Sequence, residues 1–193
     1  MLTVDASIGY TTVLCSLNQV FLTGRLYGIV GKNGSGKSSL LRTISGETYP
    51  LEGKVLLNDI DTWSTKLIGK IIYISSPTFY PDMSVGEHIK LLEKTQKISY
   101  SKTVEAWGLS DLLELSPSML SSGQQQRFSL AIQLAMEKAQ VLLLDEPERH
   151  LDDFWVERLC RVLERKALEG ATVIIASHSE KILNQCNTKI NLS

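Results

Sequence analysis

The sequence predicts an α/β fold: a parallel-sheet core with a helical insertion. Three observations predict it. "RLYGIV", "QVLLLDEPE" and "ATVIIAS" carry short unbroken apolar runs, as strands do when both faces are covered. Each run is followed by a loop and a helically spaced segment, the order that builds a parallel sheet. Between Pro77 and about Ser118 the texture changes to helix-spaced apolar residues, which marks an insertion.

Taken in order, residues 2 to 30 read as strands with turn signals at Gly9 and Gly24. "RLYGIV" runs into "GKNGSGKSS". "SLLRTISG" then puts Leu40, Leu41 and Ile44 on one helical face, with Gly46 as the stop. "GKVLLN" and "KIIYIS" are two more strands. Pro77 and Pro81 break the chain, "SVGEHIKLLEKTQ" spaces Val85, Ile89 and Leu92 as a helix, and "VEAWGLSDLLEL" reads as another. After "LSSGQQQR" come a helix in "FSLAIQLAMEKA", the strand "QVLLLDEPE", a helix in "DDFWVERLCRVLERKALE", the strand "ATVIIAS" and a short helix in "SEKILNQC". The expected organisation is one domain over 1–193. Residues 1–76 and 124–193 form the core with its β subdomain, and 77–123 form the helical subdomain.

Composition narrows the function classes. A chain of 193 residues with 43% apolar and 21% charged residues buries a core and is not disordered. A net charge of −1 lacks the footprint of a protein that binds nucleic acid or anionic lipid. Three scattered cysteines contain no CxxC pair and suit a reducing compartment. The N-terminus has no signal-peptide pattern, and the apolar runs are too short to cross a bilayer. Work at a membrane would need another chain to supply the spanning segments.

Gly31, Gly36, Lys37 and Ser38 match G-x-x-x-x-G-K-[ST] between a strand and a helix. Glycines let the backbone wrap closely around phosphate, and the helix N-terminus favours anions. Asn33, Gly34, Ser35, Gly36 and Ser39 complete the cradle, Lys37 reaches the β- and γ-phosphates, and the Ser38 hydroxyl ligates Mg²⁺. A nucleoside triphosphate is therefore the expected ligand. "VLLLDEP" ends a buried strand in two adjacent acids whose side chains leave on opposite faces. Asp145 suits the Mg²⁺ shell, and Glu146 is free to face an attacking water as base or orienter.

"GKNGSGKSS", "LSSGQQQR", "VLLLDEP", "HLDD" and "IIASHS", in this order, resemble the ATP-binding cassette (ABC) family from Tyr10 to His178. The resemblance implies an α/β, RecA-like P-loop NTPase core with an N-terminal antiparallel β subdomain and an ABC-specific helical insertion, and ATP as the nucleotide. It also gives "LSSGQQQR" a purpose. By itself the stretch fits an ordinary Ser-capped helix start. In the family such a stretch faces the γ-phosphate bound by the other subunit of a head-to-tail dimer. Ser121, Gly123 and Gln124 would then be half of an anion site that needs no ionisable group. The family pattern further implies adenine stacking by Tyr10, a γ-phosphate contact from His178, and a dimer-crossing loop at Asp152. A tyrosine near a strand end also fits a plain core or surface residue.

Two positions depart from the family. Ser122 stands where a second glycine is usual, a strained position if φ is positive there. Ser75 stands where a glutamine normally reaches Mg²⁺ and the attacking water. Measurable but slow ATP turnover is therefore expected, with looser coupling of hydrolysis to movement of the helical insertion. The resemblance implies an ATPase subunit that dimerises as a homo- or heterodimer and drives a separate multi-span membrane protein. It would sit in the cytoplasm, peripheral to the inner face of the membrane. The compact length, without room for a C-terminal regulatory domain, favours the exporter type. A soluble non-transport ABC ATPase and a binding-only regulatory subunit are the alternatives.

Overall fold

The structure is a computed structural model that describes residues 1–136 and 139–192. The described chain divides into two compact units. The first comprises residues 1–75, 139–148 and 156–192, and the second residues 76–136 and 149–155.

The first unit holds two sheets. β1 (Leu2–Gly9), β2 (Val13–Phe21), β4 (Glu52–Leu57) and β5 (Ile60–Asp61) form an antiparallel sheet in the order β2-β1-β4-β5. β1 alternates as a one-faced strand must, burying Leu2, Val4, Ala6 and Ile8. β5 is too short to show a pattern, so its sequence does not announce it. It is held by a two-residue turn at Asn58 and Asp59, both left-handed, as a type I′ hairpin requires. The second sheet is parallel throughout. It orders β6 (Ile71–Ile74), β7 (Val141–Asp145), β8 (Thr172–Ala176), β3 (Leu26–Val30) and β9 (Thr188–Asn191) as β6-β7-β8-β3-β9. β7 and β8 are buried almost throughout, in keeping with their unbroken apolar runs. β9 was not expected, because "TKIN" contains one apolar residue. Its ladder to β3, with Ile190 opposite Ile29, makes it an edge strand. α1 (Lys37–Ser45) packs Leu40, Leu41 and Ile44 into the core, and α5 (Asp153–Leu168) buries Val156, Leu159, Cys160, Leu163 and Ala167 at helical spacing. α6 (Glu180–Leu183) is a single turn.

The second unit contains α2 (Val85–Gln96), α3 (Ser101–Ala106) and α4 (Ser122–Leu134). α2 opens in a capping box between Ser84 and Glu87. The helix expected over "VEAWGLSDLLEL" is not continuous. α3 stops at Ala106, and a single 3-10 turn, Ser110–Leu112, follows. α4 begins six residues before the apolar pattern of "FSLAIQLAMEKA", and Glu137 and Lys138 of that stretch lie outside the described residues. α4 groups with α2 and α3 rather than with the core expected to start at residue 124. Aromatic packing explains the grouping. Phe128 stacks on Phe79 at 4.9 Å between ring centroids and meets the His88 ring edge-on at 5.8 Å, while the buried Tyr100 phenol bonds the Ile132 carbonyl.

Candidate functional site

The site grows from the turn between β3 and α1. Gly36 caps α1 with φ 92°, and a Cβ there would meet Cys15 Sγ at 3.1 Å and Leu14 Cβ at 3.2 Å. Only glycine takes this turn without strain. α2 and α4 start in capping boxes, whereas α1 has no side-chain cap and no acid in its first turn. The N–H groups of its first turn therefore have no acceptor within the helix, and the helix dipole adds positive potential beside them. Lys37 is buried, and its ammonium donates to the carbonyls of Gly31 (2.8 Å) and Lys32 (3.2 Å). Ser35 Oγ is buried without a hydrogen-bond partner. An anion in front of the helix would satisfy the first-turn amides, whereas the Ser35 hydroxyl is turned inward against Gly31.

A cleft of about 290 Å³ opens here, lined by Leu14, Asn33, Gly34, Gly36, Lys37, Ser38, Ser39 and Glu146. Six of the phosphate-loop candidates, Asn33, Gly34, Gly36, Lys37, Ser38 and Ser39, and one of the two acids are thus brought together, while Gly31 and Ser35 are not part of the lining. Asp145, at the end of β7, instead accepts a hydrogen bond from the Tyr73 phenol on Oδ2 at 3.1 Å. Burial pushes the Tyr73 hydroxyl up to about 12, and the Asp145 carboxylate adds to the effect. Hydrogen bonds to the phenols of Tyr73 and Tyr10 hold the Arg42 guanidinium above its ordinary value. Tyr10 itself is 60% exposed on the β1–β2 turn and is not part of the cleft lining. Ser75 follows β6 directly and is half-buried.

The two acids separate by more than strand alternation. Glu146 lies beyond β7 in the left-handed region, φ 47°, with its N–H donating to the Ala176 carbonyl at 2.8 Å. His178 Nε2 stands 3.9 Å from Glu146 Oε1, both side chains being about half exposed. Among the described residues, five non-glycine residues have positive φ. Asn58 and Asp59 form the hairpin turn and Lys97 ends α2, whereas Glu146 and His150 sit in loops that carry candidate residues. Each such conformation costs about 1–2 kcal/mol.

On the second unit, Ser121 caps α4. Its hydroxyl accepts from the Gln124 N–H at 3.3 Å, and Gln124 Oε1 accepts from the Ser121 N–H at 2.8 Å. A Cβ on Gly123 would lie 2.7 Å from the His150 carbonyl oxygen, so close approach requires glycine here. Ser122 is the first residue of α4 and is not among the positive-φ residues, so the strain considered for it does not arise. Asp152 Oδ1 accepts from the Trp155 N–H at 3.0 Å, capping α5. Sequence reasoning missed Tyr73, Arg42 and Glu148. The first two carry no local signal. Glu148 had one, its place in the acidic run "DEPE".

The family model described as ABC transporter matches residues 15–149. The chain belongs to the ABC transporter family. Among curated ABC proteins, it is 32% identical over 202 residues to the uncharacterised ABC transporter ATP-binding protein YybJ of Bacillus subtilis (strain 168), covering 100% of this chain and 91% of YybJ. It is 30% identical over 189 residues to the cobalt import ATP-binding protein CbiO of Rhodobacter capsulatus, covering 90% of this chain and 67% of CbiO. Its fold matches the dimeric post-hydrolysis structure of the ATP-binding cassette MJ0796 bound to ADP and Pi. That match has a TM-score of 0.86 at 23% identity, over 100% of this chain and 94% of the other. The antiparallel sheet beside a parallel sheet is accordingly the ABC ATPase arrangement of a P-loop NTPase. No helix among the described residues is long and apolar enough to cross a membrane.

Proposed function

We propose that this ABC subunit binds Mg-ATP at the cleft beside α1, hydrolyses it, and drives a separate membrane-spanning protein. The uncapped start of α1, with Lys37, Ser38 and Glu146 converging on one cleft, carries the reading. The first-turn N–H groups and the Lys37 ammonium hold the phosphate oxygens and favour the charge that develops on them. Glu146 orients the attacking water and accepts its proton, and His178 faces the same carboxylate. Ser38 and Asp145 offer the hydroxyl and carboxylate oxygens that Mg²⁺ prefers, and the Tyr73 bond orients the Asp145 carboxylate. Mg²⁺ bound there would neutralise charge on the phosphates. Tyr10 stacks on adenine. Ser121, Gly123, Gln124 and Asp152 serve the nucleotide of a second ABC subunit, head to tail, so two Mg-ATP are enclosed per dimer.

The relationship to MJ0796, dimeric with ADP and Pi, supports this cycle through the shared fold. The working place is the cytoplasm, at the inner face of the membrane through the spanning partner. An exporter role was expected from length alone. A cobalt-import relative of 30% identity matches over 90% of this chain, so length gives no ground for preferring export over import. Ser75 is too short to replace a glutamine without a bridging water, which makes turnover slow and favours a binding-only subunit as the second reading. ATP turnover by the purified protein, measured against Lys37→Ala, tests the proposal. Turnover above that control, with a stable ATP-bound dimer in Glu146→Gln, is expected. Turnover no greater than the control, with no trapped dimer, refutes hydrolysis.

A further inference from the structure

Glu148 ties together two loops that leave the parallel sheet side by side. Its Oε1 accepts from the Ser177 hydroxyl, and also from the backbone N–H groups of His178 and Ser179, each at 3.3 Å. Ser177 is fully buried and its Oγ in turn accepts from the Ser179 N–H at 2.9 Å. One carboxylate oxygen thus holds all three residues of the turn that carries His178. Bonds to an ionised carboxylate are about twice as strong as neutral ones, and a carboxylate is the side chain best able to accept several donors at once.

The other oxygen, Oε2, is buried with no hydrogen-bond partner. A buried unpaired carboxylate oxygen is expensive, so Glu148 is a poor choice for stability alone. Its geometry makes sense as positioning. The same loop also carries Glu146, whose N–H is held by the Ala176 carbonyl, one residue before Ser177. Segment 146–148 and turn 176–179 are therefore joined twice, once through backbone and once through the Glu148 side chain. The joint lies beside the 3.9 Å approach of His178 Nε2 to Glu146 Oε1, whose side chains are both about half exposed.

We propose that Glu148 is a positioning residue for ATP turnover: its carboxylate locks the 177–179 turn so that the His178 imidazole faces Glu146 at the cleft. The inference rests on the role given to His178 under the proposed function. Steady-state ATP turnover of the purified protein tests it with Glu148→Ala, Glu148→Gln, Ser177→Ala, His178→Ala and the double variant Glu148→Ala/His178→Ala. Glu148→Ala is expected to lower kcat about tenfold, with KM for ATP unchanged, because the phosphate cradle is untouched. Glu148→Gln keeps the accepting oxygen and retains turnover. Ser177→Ala, which removes one donor from a folded loop, lowers kcat in the same sense. In the double variant the loss equals that of His178→Ala, since Glu148 acts only through that residue. Additive losses in the double variant overturn the inference, as does full turnover in both Glu148→Ala and Ser177→Ala while His178→Ala is impaired. Full turnover in His178→Ala removes the reading beneath it and the inference together.

Discussion

Replacing Gly123 by alanine adds one methyl group where the structure leaves no room for it. The new Cβ would stand 2.7 Å from the His150 carbonyl oxygen. Carbon–oxygen contacts of this kind rest at about 3.3 Å or beyond, so about 0.6 Å must be recovered. Both sides of the contact are backbone: the first turn of α4, and a loop already strained at His150, φ 65°. Overpacking of this kind costs about 1–3 kcal/mol. Alanine in place of glycine in a helix returns about 1 kcal/mol, so the net loss is about 0–2 kcal/mol. For a chain of this length each kcal/mol lowers Tm by about 2–4 °C, and the protein stays folded. Function should suffer more than stability, because Ser121 and Gln124 move with the displaced turn. A displacement of this size is expected to reduce ATP turnover at least about tenfold. Thermal unfolding, ATP turnover and nucleotide-dependent dimerisation in a Glu146→Gln background measure the three consequences. Turnover and dimerisation at the level of the parent, with Tm unchanged, would refute the reasoning, since the His150 carbonyl would then yield freely.

Ser122→Gly is expected to lower Tm by a few degrees without raising turnover, because Ser122 occupies a helical position that glycine only loosens; a faster enzyme would contradict this. Tyr73→Phe removes the bond to Asp145 and should raise the Mg²⁺ concentration needed for half-maximal turnover about tenfold or more, an effect read from a Mg²⁺ titration; an unchanged midpoint would count against that role. Burial pushes the Cys186 thiol from 9.0 up to about 11. The folded state then holds this proton more tightly than the unfolded chain, so the stability it contributes is complete below pH 9 and is lost as pH rises toward 11. At pH 8 its alkylation by iodoacetamide, followed by mass spectrometry, should run about a hundredfold slower than that of a free thiol. Modification at the free rate would show that the thiol is not shielded.

The parts of the site legible in the sequence are those whose chemistry is local. A glycine-rich run ending in Lys37 and Ser38 specifies its own turn and, under the proposed function, its own ligand set, since backbone amides and the next helix supply the rest. An apolar strand ending in Asp145 and Glu146 announces where the acids stand. The extent of the helix after Val104 was not legible, because apolar residues at helical spacing say nothing of the break at Gly108. β9 was hidden for the opposite reason: an edge strand with one apolar residue is specified by the neighbour it pairs with.

By itself, the sequence determined the α/β class and marked the glycine-rich turn before α1 and the pair of acids at the end of β7, all written in residues a few positions apart. Tertiary structure alone decided how those parts are aimed. Tyr73 and Asp145 are 72 residues apart in sequence, and Glu148 and Ser177 are 29 apart. Their bonds exist only once β6, β7 and β8 lie side by side, because a hydrogen bond between distant residues depends on which strands become neighbours and no local pattern encodes that.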